Sequence, residues 1–209
     1  MARGAAAGLG LDEAVALTRT GDLWLFRGRR SPDRAIQTFT NSPVNHVGMV
    51  VALDDMPPLL WHAELGKSLP DAWTGQRQRG VQLHKLEDAV RTWDKKYGQR
   101  AWMRRLEGGT ITREHENALI ETIDKYSGKP FPTTPGLMRS WATGRYRKRE
   151  VTRETIYCAE LVAVTMQNMG LLPGERPISW YDPGKFWSGD DLVLAEPFRL
   201  TDEIAVLPG

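Results

Sequence analysis

Cysteine is nearly missing from this chain, with one thiol, Cys158, in 209 residues. An intramolecular disulfide is therefore impossible, and the cysteine-dense scaffolds of small secreted domains are excluded. Long apolar runs are missing too. Val47–Leu53 is among the longest, far short of the ~18 residues that cross a bilayer. The first residues, Met1–Gly8, reach the charged Asp12 and Glu13 before any run suited to the apolar part of a signal peptide. These absences predict a cytoplasmic protein without a transmembrane segment, in a compartment that keeps Cys158 reduced. An excess of one charge is absent as well. Lys+Arg number 28 and Asp+Glu 26, a formal net charge of +2, so the bulk charge points to neither nucleic acid nor an acidic partner.

What is present is the composition of a folded protein, 41% hydrophobic and 26% charged, enough apolar material for a real core. The length predicts one domain over residues 1–209, with its core between about residues 21 and 170 and a Pro- and Trp-rich C-terminal tail packed on it. One local basic stretch stands out, Arg139 to Arg153, where Arg139, Arg145, Arg147, Lys148, Arg149 and Arg153 alternate with Trp141 and Tyr146. Most such stretches are solvated faces. The functional reading of this one is contact with an anionic surface, a membrane before nucleic acid.

The pattern along the chain predicts a short amphipathic segment at Leu11–Leu17, then a strand at Leu23–Phe26 after the Gly21-Asp22 break. A helix is expected over Pro32–Thr40. Strands are expected at His46–Leu53 and Leu59–Leu65, separated by Pro57-Pro58, and again at Val81–Leu86 after an exposed loop, Asp71–Gly80. Glu87–Lys96 reads as a helix and Ala101–Leu106 as a strand. From Thr112 the period becomes helical, with Leu119, Ile120, Ile123 and Tyr126 on one stripe that ends at Ser127-Gly128. Cys158, Leu161, Val162, Thr165 and Met169 share one face of a further helix ended by Gly170, and the last strand falls at Phe198–Leu200 or Ile204–Leu207.

Cys158 thus lies in the first turn of a helix, where unpaired N–H groups and the helix dipole favour a thiolate. Two readings stay open, because free cysteine is also a common core residue. Histidine shifts the balance. His46 opens an otherwise apolar strand, and a buried imidazole needs a partner or a task. In the following strand Leu60, His62 and Glu64 share one face, opposite Leu59, Trp61 and Ala63, and alternation lets them look toward His46. A thiol nucleophile, a base and a group that orients the base are the three parts of nucleophilic acyl transfer. Cys158, His46 and His62 supply them, with Glu64 as the competing orienter. A zinc site is disfavoured by the lack of paired cysteine spacing, so no metal and no cofactor are expected. His84 and His115 read as solvated surface residues.

The segments Gly21–Phe26, His46–Val51 and Leu60–Ala63 resemble the strands of NlpC-type papain-like peptidases. The helix with Tyr157-Cys158-Ala159-Glu160-Leu161-Val162 follows them, whereas it comes first in that family. This order resembles the circularly permuted branch, the YiiX-like amidases with their Tyr-Cys-Ser-Glu-Leu-Val signature. The resemblance covers about residues 21–170, with Ala159 in place of the usual serine and His62 where permuted relatives often carry glutamate. It implies an α+β, papain-like fold in which a small antiparallel sheet packs against the cysteine helix. It also implies a cysteine hydrolase acting through a thioacyl enzyme on a peptide, another amide, or an acyl lipid. Cys158 takes the nucleophile position, His46 the base and His62 the orienter. The Cys158 backbone N–H becomes an oxyanion donor, with Tyr157 and Asp22 as neighbours, Asp22 serving equally well as a turn carboxylate. A fold-retaining binding module without turnover is the alternative of another class.

Overall fold

The computed structural model describes residues 8–28, 43–64, 66–129, 158–189 and 192–209. Its centre is the apolar run Leu23-Trp24-Leu25-Phe26, buried on both faces as a middle strand of a sheet. In chain order the strands are β1 (Leu9–Gly10), β2 (Leu23–Arg27), β3 (His46–Val51), β4 (Leu59–Glu64), β5 (Gly80–Lys85), β6 (Arg100–Arg104), β7 (Leu106–Glu107), β8 (Arg199–Leu200) and β9 (Ile204–Leu207). Seven of them form one sheet in the order β1-β9-β6-β2-β3-β4-β5, while β7 and β8 pair separately. All neighbours in the large sheet are antiparallel except β1 and β9. The sheet is therefore larger than the small antiparallel one expected, because the tail adds β9 and β9 in turn holds β1. Both segments offered as alternatives for the last strand are strands.

Four α-helices occur among the described residues: α1 (Leu11–Leu17), α2 (Leu86–Tyr97), α3 (Arg113–Tyr126) and α4 (Cys158–Asn168). They cover both faces of the sheet, which is why its central strands read as continuous apolar runs. Leu23, Leu25, Val47, Met49, Trp61 and Leu83 look toward α3 and α4 and form one core with Leu119, Ile123, Leu161 and Val162. The alternate residues Trp24, Phe26, Val50 and Leu60 look the other way, toward Leu11 and Ala14 of α1 and Leu86, Val90 and Trp93 of α2. A period of two in the strands thus builds two cores from one sheet.

The helices differ as their positions require. In α4, residues 158–166 are all buried, as expected of a helix enclosed on every side. Its Thr165 hydroxyl donates to the Leu161 carbonyl and accepts from Trp61 Nε1 on β4. In α2 only Leu86, Ala89, Val90 and Trp93 are buried, and the helix ends at Gly98 in the left-handed conformation. α3 begins with a capping box in which His115 Nδ1 accepts from the Thr112 amide at 2.9 Å. His115 is a cap that also packs edge-on against Phe198, which corrects the expectation of a merely solvated ring.

The tail is fastened by Arg104 of β6, whose guanidinium donates to the Phe186 and Thr201 carbonyls, both at 2.7 Å. No helix among the described residues is long and apolar enough to cross a membrane. The helix expected over 32–40 and the basic stretch 139–153 lie outside the described residues.

Candidate active site

The site is built where β3 and β4 part. The two strands are paired only at Met49–Trp61, Val50–Leu60 and Val51–Leu59. Beyond that, His46, Val47 and Gly48 have no rung on β4, while His62, Ala63 and Glu64 remain paired with Gln82, Val81 and Gly80 of β5. Val50 N–H donates to the Asp22 carbonyl on the β2 side, so alternation turns the amides of Val47 and Met49 toward β4. The Val47 amide, which has no rung to make there, is among the groups that favour a thiolate at Cys158. Gly48 is required at the parting. A Cβ on it would stand 2.6 Å from Leu60 Cδ1 and 3.1 Å from His62 Cβ.

On the α2 face three imidazoles form a chain. His46 Nε2 lies 3.1 Å from His62 Nδ1, and His62 Nε2 lies 3.0 Å from His84 Nδ1. Trp93 of α2 covers all three rings edge-on, with centroid distances of 5.4, 5.0 and 6.3 Å. His46 is 9% exposed, and His62 and His84 are fully buried. Burial disfavours the charged form of each ring. It lowers His46 to about 3 and His84 to about 4, and it holds His62 well below the usual histidine value. All three are therefore neutral near pH 7. His46 Nδ1 has no partner among the described residues.

His84 was expected on the surface, and this is corrected: its strand face is closed by Trp93. Gln82 on the same strand is also fully buried, and its amide nitrogen and oxygen have no partner among the described residues. Nothing in the polar spelling Gln82-Leu83-His84-Lys85 reveals such burial alone. The available signal is register, because a polar residue on β5 directly opposite His62 extends a polar face that already contains His46.

Of the two candidate orienters, His62 is the one hydrogen-bonded to His46. Glu64 accepts instead from the Ser68 amide at 3.2 Å and hydroxyl at 3.1 Å, and Ser68 in turn accepts from Trp93 Nε1. Burial raises the Glu64 carboxyl against the opposing pull of Ser68. Asp22 is a structural carboxylate. Its two oxygens accept from the Arg19 and Leu106 amides at 2.9 and 2.8 Å, the turn role foreseen for it.

Cys158 is the first residue of α4 and is 3% exposed, within the core on the α4 face. Burial pushes its thiol up to about 12, against the amides of Val47, Ala159 and Cys158 itself, which favour a thiolate. No hydrogen bond joins Cys158 to His46 among the described residues. The sulfur reaches the parting from the α4 side, and the His46 ring lies on the α2 side with Phe26 and Trp93. Tyr157 lies outside the described residues.

A two-sided α+β protein, with a cysteine-headed helix on one face of its sheet and linked histidines on the other, is what these features define. It is similar to YiiX. No protein-family model matches the chain. It is 28% identical over 160 residues to the uncharacterized protein YiiX of Escherichia coli strain K12, a match covering 76% of this chain and 62% of that protein. The chain thus spans about three fifths of the length of this curated relative. The crystal structure of metalloprotein yiiX from Escherichia coli O157:H7 is similar in fold. Its TM-score is 0.50 at 26% identity, and the match covers 72% of this chain and 66% of that one.

Proposed function

We propose that the chain is a cysteine hydrolase of the permuted, papain-like NlpC type that cleaves an amide bond, peptide or isopeptide-like. Cys158 is the nucleophile, His46 the base and His62 its orienter. The observation that carries this reading is the open end of the β3–β4 ladder. There His46, whose Nε2 lies 3.1 Å from His62 Nδ1 and whose Nδ1 has no partner among the described residues, stands next to Val47, whose amide favours a thiolate at Cys158. The His46–His62 hydrogen bond supports reading them as base and orienter.

The protonation states decide how the chemistry runs. With the thiol pushed up to about 12 and His46 lowered to about 3, burial disfavours a thiolate–imidazolium pair in the resting protein. The proton must move as the bond forms, which makes His46 a general base. For this chemistry Sγ and Nδ1 have to meet, although Cys158 lies in the core on the α4 face and the His46 ring packs with Phe26 and Trp93 on the α2 face. Sγ then bonds to the substrate carbonyl carbon, its proton passes to His46 Nδ1, and the displaced electron pair goes to the carbonyl oxygen. The Cys158 amide serves as the oxyanion donor in this reading. Collapse breaks the C–N bond, and the leaving amine takes the proton from Nδ1. Water, giving a proton to the same nitrogen, hydrolyses the thioester. An acyl lipid would be cut by the same steps.

The metalloprotein yiiX raises the question of a metal here, and the residues present do not fit one. Both nitrogens of His62 are engaged by other histidines, so the three rings form a line and do not converge. Among the described residues no group of three or more His, Cys, Asp and Glu could hold an ion. No step is routed through a metal.

The burial of the Cys158 sulfur favours a second reading, a binding module in which the thiol is core. One experiment separates the two. The protein is incubated with p-nitrophenyl acetate at pH 7 and analysed by intact mass and peptide mapping. A hydrolase acetylates Cys158, turns the ester over, and slows by ~100-fold or more in His46→Ala, the usual worth of a general base. Labelling no faster than that of a free thiol, and equal in wild type and His46→Ala, overturns the enzyme.

A further inference from the structure

We infer that the loop before β5, with Trp73 at its tip and Lys67, Arg77 and Arg79 at its base, docks on the surface of an anionic lipid membrane. This goes beyond the hydrolase reading and does not depend on it.

Trp73 is 64% exposed, the largest of the exposed apolar side chains. Its exposure does not come from a loose segment. Asp71, itself buried, accepts from the Trp73 and Thr74 amides at 3.1 and 2.7 Å through Oδ1. The Thr74 hydroxyl donates to the same oxygen at 2.9 Å, and Oδ2 accepts from the Leu83 amide of β5 at 2.7 Å. Main-chain bonds close the turn. Gly75 N–H donates to the Asp71 carbonyl and Asp71 N–H to the Gln76 carbonyl, both at 2.8 Å, while Ala72 N–H donates to the Leu83 carbonyl at 2.7 Å. The loop is thereby fastened to β5, the edge strand of the sheet, and the indole is left outside it. A ring presented on a preformed turn meets a partner with little further ordering of the backbone, which lowers the entropic cost of docking.

The charge around this tip is of one sign. Residues 66–80 contain Lys67, Arg77 and Arg79 against Asp71 alone, and the Asp71 carboxylate is occupied by the donors just named. All three cations are exposed, and none is in an ion pair with a described residue. They lie at the base of the loop. The Asp71–Gln76 bond closes the turn above them, and the Arg77 guanidinium donates back to the Ser68 carbonyl at 2.6 Å, beside Lys67. An indole in front with cations behind matches the layering of a membrane interface, where tryptophan settles among headgroups and Lys and Arg meet anionic lipid. Other macromolecules fit the loop less well. A protein interface of standard size takes about 20–30 residues a side, whereas this tip offers one large apolar group. Single-stranded nucleic acid stacks on successive aromatics along a basic groove, and Trp73 is the only aromatic residue between 66 and 80.

The full chain is sedimented at low salt with vesicles of phosphatidylcholine containing one third phosphatidylglycerol. The wild type should co-sediment, should be released by high salt, and should stay in the supernatant with pure phosphatidylcholine. Trp73→Ala should weaken partitioning about tenfold or more. The double variant Lys67→Glu, Arg79→Glu should weaken it about 25-fold or more, at roughly fivefold for each cation lost. Bromine-labelled lipid should quench a component of the wild-type fluorescence that Trp73→Phe lacks. Equal partitioning of wild type and Trp73→Ala overturns the inference, whichever other segment then holds the vesicles, and so does a wild type that never co-sediments. Trp73-dependent self-association, or Trp73-dependent binding of a single-stranded oligonucleotide, without vesicle binding assigns the loop to another partner and overturns it as well. Acetylation of Cys158 by the soluble ester should be equal in wild type and Trp73→Ala, so the hydrolase and the docking loop stand or fall separately.

Discussion

Acid should unfold this protein earlier than its composition suggests, and the three buried imidazoles set the size of the effect. Their pKa values are lowered in the folded state, His46 to about 3 and His84 to about 4, with His62 well below its usual value. Unfolded histidine titrates near 6.5, so between pH ~6.5 and ~4 the unfolded chain binds protons that the folded chain refuses. Stability contributed by the neutral cluster is complete above the unfolded value and is lost as the pH falls toward the folded one. From pH 7 to pH 5 His46 and His84 cost about 2 kcal/mol each, about 4 kcal/mol together, and His62, lowered as well, adds to that. That is comparable with the whole stability of an ordinary domain, about 5–15 kcal/mol. Asp22 and Glu64 work in the opposite sense. Burial raises both carboxyls, so the folded state takes up their protons first and recovers part of the loss on the acid side. Urea unfolding followed by tryptophan fluorescence at pH 7, 6, 5.5 and 5 measures the sum. The midpoint should fall steeply, and His84→Gln should remove about 2 kcal/mol of the drop. A stability constant to about 1 kcal/mol between pH 7 and pH 5 would refute the claim that these rings are buried and neutral.

Three substitutions probe the surrounding frame. Gly48→Ala drives a methyl into Leu60 and His62 at the parting; it should cost about 1–3 kcal/mol in urea unfolding and shift the ring signals of His46 and His62. Asp22→Ala leaves the Arg19 and Leu106 amides without their acceptors; a loss of about 2–4 kcal/mol is expected in thermal melts. Thr165→Val deprives Trp61 Nε1 of its acceptor inside the core between β4 and α4; it should destabilise by about 1–3 kcal/mol, with Thr165→Ser costing less.

The strands near the site were legible because their period is local. Leu60, His62 and Glu64 alternate with Leu59, Trp61 and Ala63, and the two sets do face opposite cores. The helix from Cys158 was legible from its apolar stripe and from Gly170. Two things were not. The breadth of the sheet depends on β9 and β1, a pairing of residues 9 and 206 that no local pattern encodes. The burial of His84 depends on a tryptophan in the next helix crossing a polar strand face, and polarity alone argues for solvent. The location of the Cys158 sulfur falls between these cases. Sequence gives its place in the first turn, but which side of β3 it reaches is decided by how α4 packs.

The contrast between the two faces of the same three strands is the physical reason to treat this end of the sheet as a site. Toward α4, Val47, Trp61, Ala63, Val81 and Leu83 fill the space with apolar side chains that need no partners. Toward α2, the alternating positions hold His46, His62, Gln82 and His84, and nitrogens or oxygens of Gln82 and His84 have no partner among the described residues. A buried polar group without a partner costs about 1–3 kcal/mol, so apolar residues at these positions would give a more stable protein. Packing therefore does not account for the histidines. A chain of imidazoles whose terminal Nδ1 has no partner among the described residues is what the proposed general-base role of His46 would use.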